Sequence, residues 1–222
     1  MLDWKSKSTW VYRKMDSAID HLVFATNDLQ QGVARIETLL GLSTSPGGSH
    51  PGMGTRNALL SLGPKCYLEI IGPDPDQTEF QGERIFGIDT IEQGQLVHWC
   101  IRRHGLSSFV QRMTQKGVEM SDVIPMSRVT AEGNRLNWEL AFPKSFGEGC
   151  TLPFFIDWGS SPHPASECPP GGELKEFEIC HPDATPINEQ LKTFSIEPCA
   201  IEEPRPRYRA IIRSPRGEVG LF

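Results

Sequence analysis

The carboxylate of Glu69 is the group in this 222-residue chain that is hardest to explain by packing alone. It lies inside the apolar stretch 67–71 (YLEII). Burying an unpaired carboxylate among such side chains costs on the order of several kcal/mol. Glu69 therefore either faces a polar cavity or is paired with a cation, and we favour the cavity.

The glycine-rich segment 50–57 (HPGMGTRN) is a second candidate for chemistry. Its two glycines permit positive φ angles, so the loop could present backbone N–H groups to a carboxylate or carbonyl oxygen. His50 is a candidate general acid or base, because an unperturbed imidazole has a pKa of about 6.5. Asn57 could orient a substrate oxygen. The alternative is a simple turn, in which the glycines only reverse the chain and His50 is exposed.

Two histidines, His21 and His98, lie in short predicted strands and are 77 residues apart (98 − 21). Each is followed by a strand end and then by a predicted helix. Imidazole nitrogen and carboxylate oxygen are common ligands of divalent metals. A single histidine in an apolar strand is also often a packed, hydrogen-bonded core residue, and this alternative stays open for both.

The elements that would position these residues follow one order twice. Alternating and 3.6-residue patterns predict a strand, a helix and further strands in each half of the chain. The first set is a strand at 18–25, a helix ending at Gly41, and strands near 55–62 and 66–72. The second set is a strand at 96–101, a helix ending at Gly117, and strands near 118–129, 134–142 and 153–158. The repeat predicts an α+β fold of paired βαβββ units, at about 18–75 and 95–160, which form a cupped half-barrel.

The flanking segments carry weaker patterns. Residues 1–17 form an N-terminal extension without a clear period. Residues 161–222 predict a C-terminal extension of partial βαββ type that packs on the same domain, which spans 18–160. The extension could complete the outer face of the half-barrel or form the surface of a homodimer.

Four motifs together resemble the glyoxalase-like family of the vicinal oxygen chelate superfamily. They are IDHLV at 19–23, HPGMGT at 50–55, YLE at 67–69 and PFFIDW at 153–158. The resemblance implies a divalent metal ion (Zn, Mn, Ni or Fe) inside the cup, held by residues of the first and last strands of each unit. It implies His21, Glu69 and His98 as the metal ligands.

The fourth ligand position is open. Aligning the strand of Glu69 with 156–159 places Ile156 opposite it, and a one-residue offset turns a strand side chain to the other face. Asp157 is therefore a ligand only if a bulge intervenes. Glu139 and a water molecule are the other candidates.

The resemblance implies an enzyme that acts on a small oxygenated organic molecule, of isomerase, lyase or dioxygenase type, in which the metal stabilises an oxyanion or enolate. Glu69 or His50 would handle the proton, whichever of them is not a metal ligand. His50, Asn57, Trp99 and Trp158 would contact the substrate, although aromatic residues on strands more often fill a core. The main alternative is a metal-free binding protein for a drug or metabolite, and a further one is an interaction module.

Composition limits the partners. The net charge is −6, from 22 Lys and Arg against 28 Asp and Glu, and no basic cluster is longer than Arg102-Arg103. This balance argues against a nucleic-acid or membrane partner. The six cysteines include no Cys-x-x-Cys pair, and neither a secretory signal nor a run of ~18 apolar residues is visible. We expect a cytoplasmic protein with reduced thiols and a small-molecule ligand.

Overall fold

The structure is a computed structural model that describes residues 19–129, 133, 135–145 and 151–222. The predicted N-terminal extension, 1–17, lies outside the described residues. Within these ranges, every helix is too short or too polar to cross a lipid bilayer.

The first unit begins with a strand whose residues are all buried. Its elements are β1 (Ile19–Ala25), α1 (Leu29–Leu40), β2 (Ser45–His50), β3 (Thr55–Gly63) and β4 (Cys66–Pro73). Helix α1 begins after Asp28, whose side chain accepts a hydrogen bond from the Gln31 N–H at 3.0 Å. It ends at Gly41, which has a φ of 66°, a left-handed conformation that favours glycine. The predicted helix end is therefore present.

The second unit repeats this order. Its elements are β5 (Gln95–Arg102), α2 (Leu106–Gln115), β6 (Ile124–Val129), β7 (Arg135–Ala141) and β8 (Phe154–Asp157). The predicted pair of βαβββ units is confirmed.

The two units share one eight-stranded sheet, in the order β2-β3-β4-β1-β5-β8-β7-β6. Strands β1 and β5 are antiparallel neighbours at its centre, and Leu22 lies opposite Trp99. These two residues differ by 77 (99 − 22), the same offset that separates His21 from His98, so β1 and β5 occupy equivalent positions. The outermost strands, β2 and β6, also contact each other. The sheet therefore curves until it is nearly closed around a cavity.

The alternation of side chains along the strands separates two apolar clusters. One covers the outer face of the sheet and includes Leu22, Phe24 and Trp99 together with residues of α1 and α2. The other lines the inner face and includes Val23, Tyr67 and further residues of β4 and β8. Residues one position apart on a strand thus belong to different environments.

The C-terminal residues form a second sheet with four strands, in the order β10-β9-β11-β12. Its elements are β9 (Glu173–His181), α3 (Ala184–Thr193), β10 (Ala200–Glu202), β11 (Arg207–Ser214) and β12 (Gly217–Leu221). This is one strand more than predicted, because β10 has only three residues and shows no alternating pattern. Phe177 packs against Trp99 with 5.0 Å between ring centroids. The second sheet therefore covers the outer face of the first.

Candidate functional site

The inner face of the large sheet encloses a cavity of about 220 Å³. Most of its wall is apolar, with aromatic side chains from β7 and β8. Its polar side chains come mainly from the first unit: His21, His50, Thr55, Asn57 and Glu69, joined by Arg128 from β6.

Glu69 lies at the centre of these polar groups and is 9% exposed. The Asn57 side-chain amide donates a hydrogen bond to its Oε1 at 2.5 Å. His21 Nε2 is 3.8 Å from Oε2, and His50 Nε2 is 3.9 Å from Oε1. Glu69 thus faces a polar part of a cavity, and the structure brings it together with three other predicted site residues.

His50 ends β2 and turns its ring into the cavity rather than into solvent. Its Nδ1 is 2.9 Å from Thr55 Oγ1, and its side chain is 17% exposed. Burial lowers the pKa of His50 below its usual value, and the nearby Glu69 carboxylate offsets part of that effect. The imidazole is therefore mainly uncharged near neutral pH and can give or accept a proton.

The backbone of the glycine-rich loop has a different role from the predicted one. The N–H groups of Gly52 and Gly54 both donate to Gln77 Oε1, at 2.9 and 3.2 Å. A Cβ atom on Gly54 would lie 2.3 Å from the ring of Phe80, and its φ is 64°. The loop therefore folds against the segment after β4, and its N–H groups bind Gln77 instead of a substrate oxygen.

Asp20 forms a buried hydrogen-bonded cluster that the sequence analysis missed. Its Oδ1 is 2.9 Å from His21 Nδ1. Its Oδ2 accepts hydrogen bonds from Trp158 Nε1 and His163 Nε2, each at 3.1 Å, and Arg102 Nη1 is 3.5 Å away. Burial alone would raise the pKa of Asp20. Hydrogen bonds from His163 and His21 instead hold this pKa far below its usual range.

The ionised Asp20 fixes the orientation of two imidazole rings. Because a carboxylate only accepts hydrogen bonds, the His21 nitrogen that faces it, Nδ1, carries a hydrogen. The His21 Nε2 atom is then directed at Glu69. His163 donates through Nε2, while its Nδ1 accepts from the Ala165 N–H at 3.2 Å. Asp20 precedes His21 directly in the sequence, but His163 lies 143 residues away in a loop, and no local pattern indicates it.

His98 is as buried as His21 but is not among the residues that line the cavity. Its ring centroid is 5.6 Å from that of Phe154 and 5.7 Å from that of Phe86. The backbone N–H of Trp99 donates to its Nδ1 at 3.0 Å. Burial lowers the pKa of His98 to about 4. Among the predicted metal ligands, the structure therefore brings His21 and Glu69 together and leaves His98 behind the aromatic wall.

The second unit has an apolar residue at the position that corresponds to Glu69. In β4, Glu69 lies opposite Val23, and in β8, Phe154 lies opposite Cys100, which is 77 residues after Val23. No group of three or more His, Cys, Asp or Glu side chains within the described ranges is arranged to hold a metal ion. Among the described residues, the predicted ligands His21, Glu69 and His98 are therefore not brought together as one metal centre.

Neither of the other predicted fourth ligands faces the cavity. Asp157 accepts hydrogen bonds from the N–H groups of Gly105 and Gly159, at 2.7 and 2.9 Å. Glu139 pairs with Asp157 across β7 and β8 and is exposed. Ile156, one residue earlier, lines the cavity. The strand has no bulge that would turn Asp157 inward, so Asp157 anchors the beginning of α2 instead.

Of the two tryptophans predicted to contact the substrate, one lines the cavity and the other lies on the outer face of the sheet. Trp158 lines the cavity and packs against Trp138, with 5.4 Å between ring centroids. Trp99 is fully buried on the outer face, where its Nε1 donates to the Thr151 carbonyl at 2.9 Å. Alternation along β5 turns Trp99 away from the cavity side that His98 and Cys100 occupy. Trp99 is therefore a core residue and not a contact for the substrate.

Paired βαβββ units around a cupped cavity define a vicinal oxygen chelate protein. The chain belongs to the glyoxalase-like domain family, whose model matches residues 19–194. This match spans both units and, of the C-terminal extension, the whole of β9 and α3. No curated protein matches the chain.

Three solved structures are similar to this chain at low sequence identity. A hypothetical protein from Staphylococcus aureus is 15% identical, with a TM-score of 0.69 over 88% of this chain and 90% of that chain. Methylmalonyl-CoA epimerase from Mycobacterium tuberculosis is 18% identical, with a TM-score of 0.46 over 65% of this chain and 90% of that chain. A hypothetical protein from Bacillus halodurans is 19% identical, with a TM-score of 0.46 over 66% and 98%. At 15% identity, the likeness to the Staphylococcus aureus protein concerns the fold alone.

Proposed function

We propose that this glyoxalase-like protein is an enzyme that moves a proton on a small, largely apolar, oxygenated molecule, with Glu69 as the base. The observation that supports it is a carboxylate on an apolar cavity wall, with an amide and two imidazole rings within 4 Å. The resemblance leaves isomerase, lyase and dioxygenase chemistry open. A positioned carboxylate favours an isomerase or lyase, because both begin with removal of a proton.

The proton transfer needs a base held in one orientation. Asn57 binds Oε1 of Glu69, so Oε2 is the oxygen that takes the proton. The amide donor stabilises the ionised carboxylate and aligns it with the cavity. His50, uncharged near neutral pH, then donates a hydrogen bond to the oxygen on which charge develops, or gives its proton to the product and takes one back from the protonated Glu69.

The aromatic wall supports this chemistry. Phe154, Trp138 and Trp158 give the cavity a largely apolar wall, which would limit the access of water. Electrostatic interactions strengthen where water is excluded. The same wall positions an apolar substrate body.

The test is deuterium exchange. A panel of small carbonyl compounds with an acidic C–H group is incubated with the protein in D2O, and exchange is followed by NMR. We expect exchange with at least one compound class, and a loss of about 10²- to 10⁴-fold in Glu69→Gln. Glu92→Gln, which removes an exposed carboxylate, is the matched control. Exchange that is equal in Glu69→Gln and wild type, or absent from the whole panel, would refute the proposal.

A metal-free binding protein is the second candidate. The aromatic lining favours it, since stacked rings bind a ligand without any chemistry. In that case a ligand would bind with the same affinity to wild type and Glu69→Gln, and no compound would be converted. Calorimetry and product analysis on the same samples separate the two functions.

A divalent metal ion (Zn, Mn, Ni or Fe) remains a prediction from the resemblance, and no step above requires it. Elemental analysis of protein purified without chelator tests it, with Glu69→Gln as the variant that should lose metal if Glu69 is a ligand. The cytoplasmic location and the homodimer also remain predictions, and sedimentation measures the latter.

A further inference from the structure

We infer that the molecule bound in this cavity is a small organic acid, an apolar body with one carboxylate, and that Arg128 binds the carboxylate. The inference deepens the proposed function, since it names the substrate class of the same cavity.

Arg128 is placed to meet a ligand. It lies on β6, the last strand of the sheet, and its half-buried side chain lines the cavity. It is the one Lys or Arg side chain in the described part of the cavity wall. A wall that is otherwise apolar therefore carries one permanent positive charge.

A backbone contact holds the guanidinium in position and leaves most of its donors available. Nη1 of Arg128 donates to the Gly47 carbonyl on β2. A Cβ atom on the next residue, Gly48, would lie 3.4 Å from Nη1, an ordinary contact distance, so the guanidinium lies against this stretch of β2. A guanidinium has five N–H donors, and within the described residues Arg128 forms no salt bridge. Carboxylates bind such a group through two parallel hydrogen bonds.

The charge of Arg128 acts on the polar side of the cavity. The positive charge of Arg128 lowers the pKa of His50, and only burial and Glu69 have larger effects on that pKa. A cation in surroundings of low polarity attracts an anion more strongly than it does in water. An anionic ligand therefore gains more from this wall than a neutral ligand of the same shape.

A chain of contacts joins the anion site to the base. Gly47, whose carbonyl binds Arg128, packs on Asn57, since a Cβ atom at Gly47 would lie 1.9 Å from Asn57 Oδ1. Asn57 in turn binds Glu69. A ligand whose carboxylate meets Arg128 thus places the carbon atoms next to that carboxylate near Glu69, where its C–H group can be deprotonated.

The experiment compares acids with amides of the same shape. Benzoate, cinnamate and 4-methylpentanoate, and their three primary amides, are titrated by calorimetry into wild type, Arg128→Gln, Arg128→Lys and Arg135→Gln. Arg135 is the matched control, because it is an exposed arginine on the neighbouring strand, opposite Val129, and does not line the cavity. Thermal unfolding of each variant shows whether the fold is kept.

We expect at least one acid to bind wild type tenfold or more tightly than its amide. Arg128→Gln should remove this preference and leave amide affinity within twofold, Arg128→Lys should keep part of it, and Arg135→Gln should not change it. Equal binding of acids and amides by wild type, an equal loss of both in Arg128→Gln, or no acid binding at 10 mM would overturn the inference. An equal loss of both would mean that Arg128 only joins β2 to β6.

The failure of this inference differs from failure of the proposed function. Glu69→Gln removes a negative charge from the cavity, so acids should bind it at least as tightly as wild type. Acid binding without deuterium exchange refutes the proton transfer alone. Exchange on neutral carbonyl compounds, with no acid binding, refutes the organic-acid ligand alone.

Discussion

The two βαβββ units have the same order of elements and meet at equivalent strands, yet they differ in chemistry. The first unit contributes His21, His50, Asn57 and Glu69 to the cavity. At the position that corresponds to Glu69, the second unit has Phe154. The second unit supplies an apolar wall, and its one cationic contribution is Arg128 among the residues described.

His21 and His98 occupy equivalent positions in the two units but have different surroundings. The Nδ1 of His21 faces an ionised carboxylate, whereas the Nδ1 of His98 accepts from the backbone of Trp99. His21 lines the cavity, and His98 lies behind it with a pKa of about 4. A duplicated scaffold can therefore keep its strands in register while only one copy carries reactive groups.

The largest expected effect is on stability, and it differs between Asp20 and the equivalent residue of the second unit, Val97, which lies 77 residues later. Asp20→Ala should lower the free energy of unfolding by about 3–5 kcal/mol, because it leaves Arg102 and the donors of His163 and Trp158 without their buried carboxylate. Val97→Ala should cost only about 1 kcal/mol, as the loss of half-buried methyl groups. Urea unfolding measures both. Equal costs would mean that the Asp20 cluster adds no stability beyond packing.

The next effect concerns pH and the buried His98. Its pKa is about 4 in the folded protein and about 6.5 in the unfolded chain, so the unfolded chain binds a proton first as the pH falls. The free energy of unfolding therefore keeps the full contribution of His98 above pH 6.5. It falls by about 3 kcal/mol as the pH falls from 6.5 to 4.

The matched measurement is urea unfolding of wild type and His98→Met between pH 7 and 4. The pH dependence of the variant should be weaker by about that amount. The same slope in both proteins would show that His98 is not buried in the uncharged form.

The smallest expected effect on stability concerns His50 in the loop of the first unit. His50→Ala should lower the free energy of unfolding by only about 1 kcal/mol, since the ring borders a cavity and makes, among the residues described, one hydrogen bond, to Thr55. Exchange or turnover should fall by about 10²-fold if the ring handles the proton. A large loss of stability with unchanged turnover would place His50 in the fold and not in the chemistry.

Much of this architecture follows from local sequence patterns. Alternation predicts β1 and the side of β8 on which Ile156 faces inward, and an apolar helical period that ends at Gly41 predicts α1. The buried carboxylate in 67–71 predicts a polar cavity, which the structure has. These features depend on residues within one element, where side-chain periods are fixed by backbone geometry.

The remaining features depend on contacts between distant segments. Asp20 and His163 are 143 residues apart, and Gln77 binds the loop of Gly52 from outside any predicted element. The depth of His98 depends on how the sheet curves, which alternation does not determine. Arg128 reaches the site because β6 returns to β2, although these strands are the farthest apart in the sheet order.

That meeting of β2 and β6 also bears on aggregation. The free edge of a sheet is a template for pairing with another chain, and β6 carries exposed Val129. Here the two edges of the eight-stranded sheet face one another across the contact between Arg128 and Gly47, so each partly shields the backbone of the other. Loosening that seam would uncover two edges at once, and the first sign of the defect would be lower solubility at high protein concentration rather than a lower melting temperature.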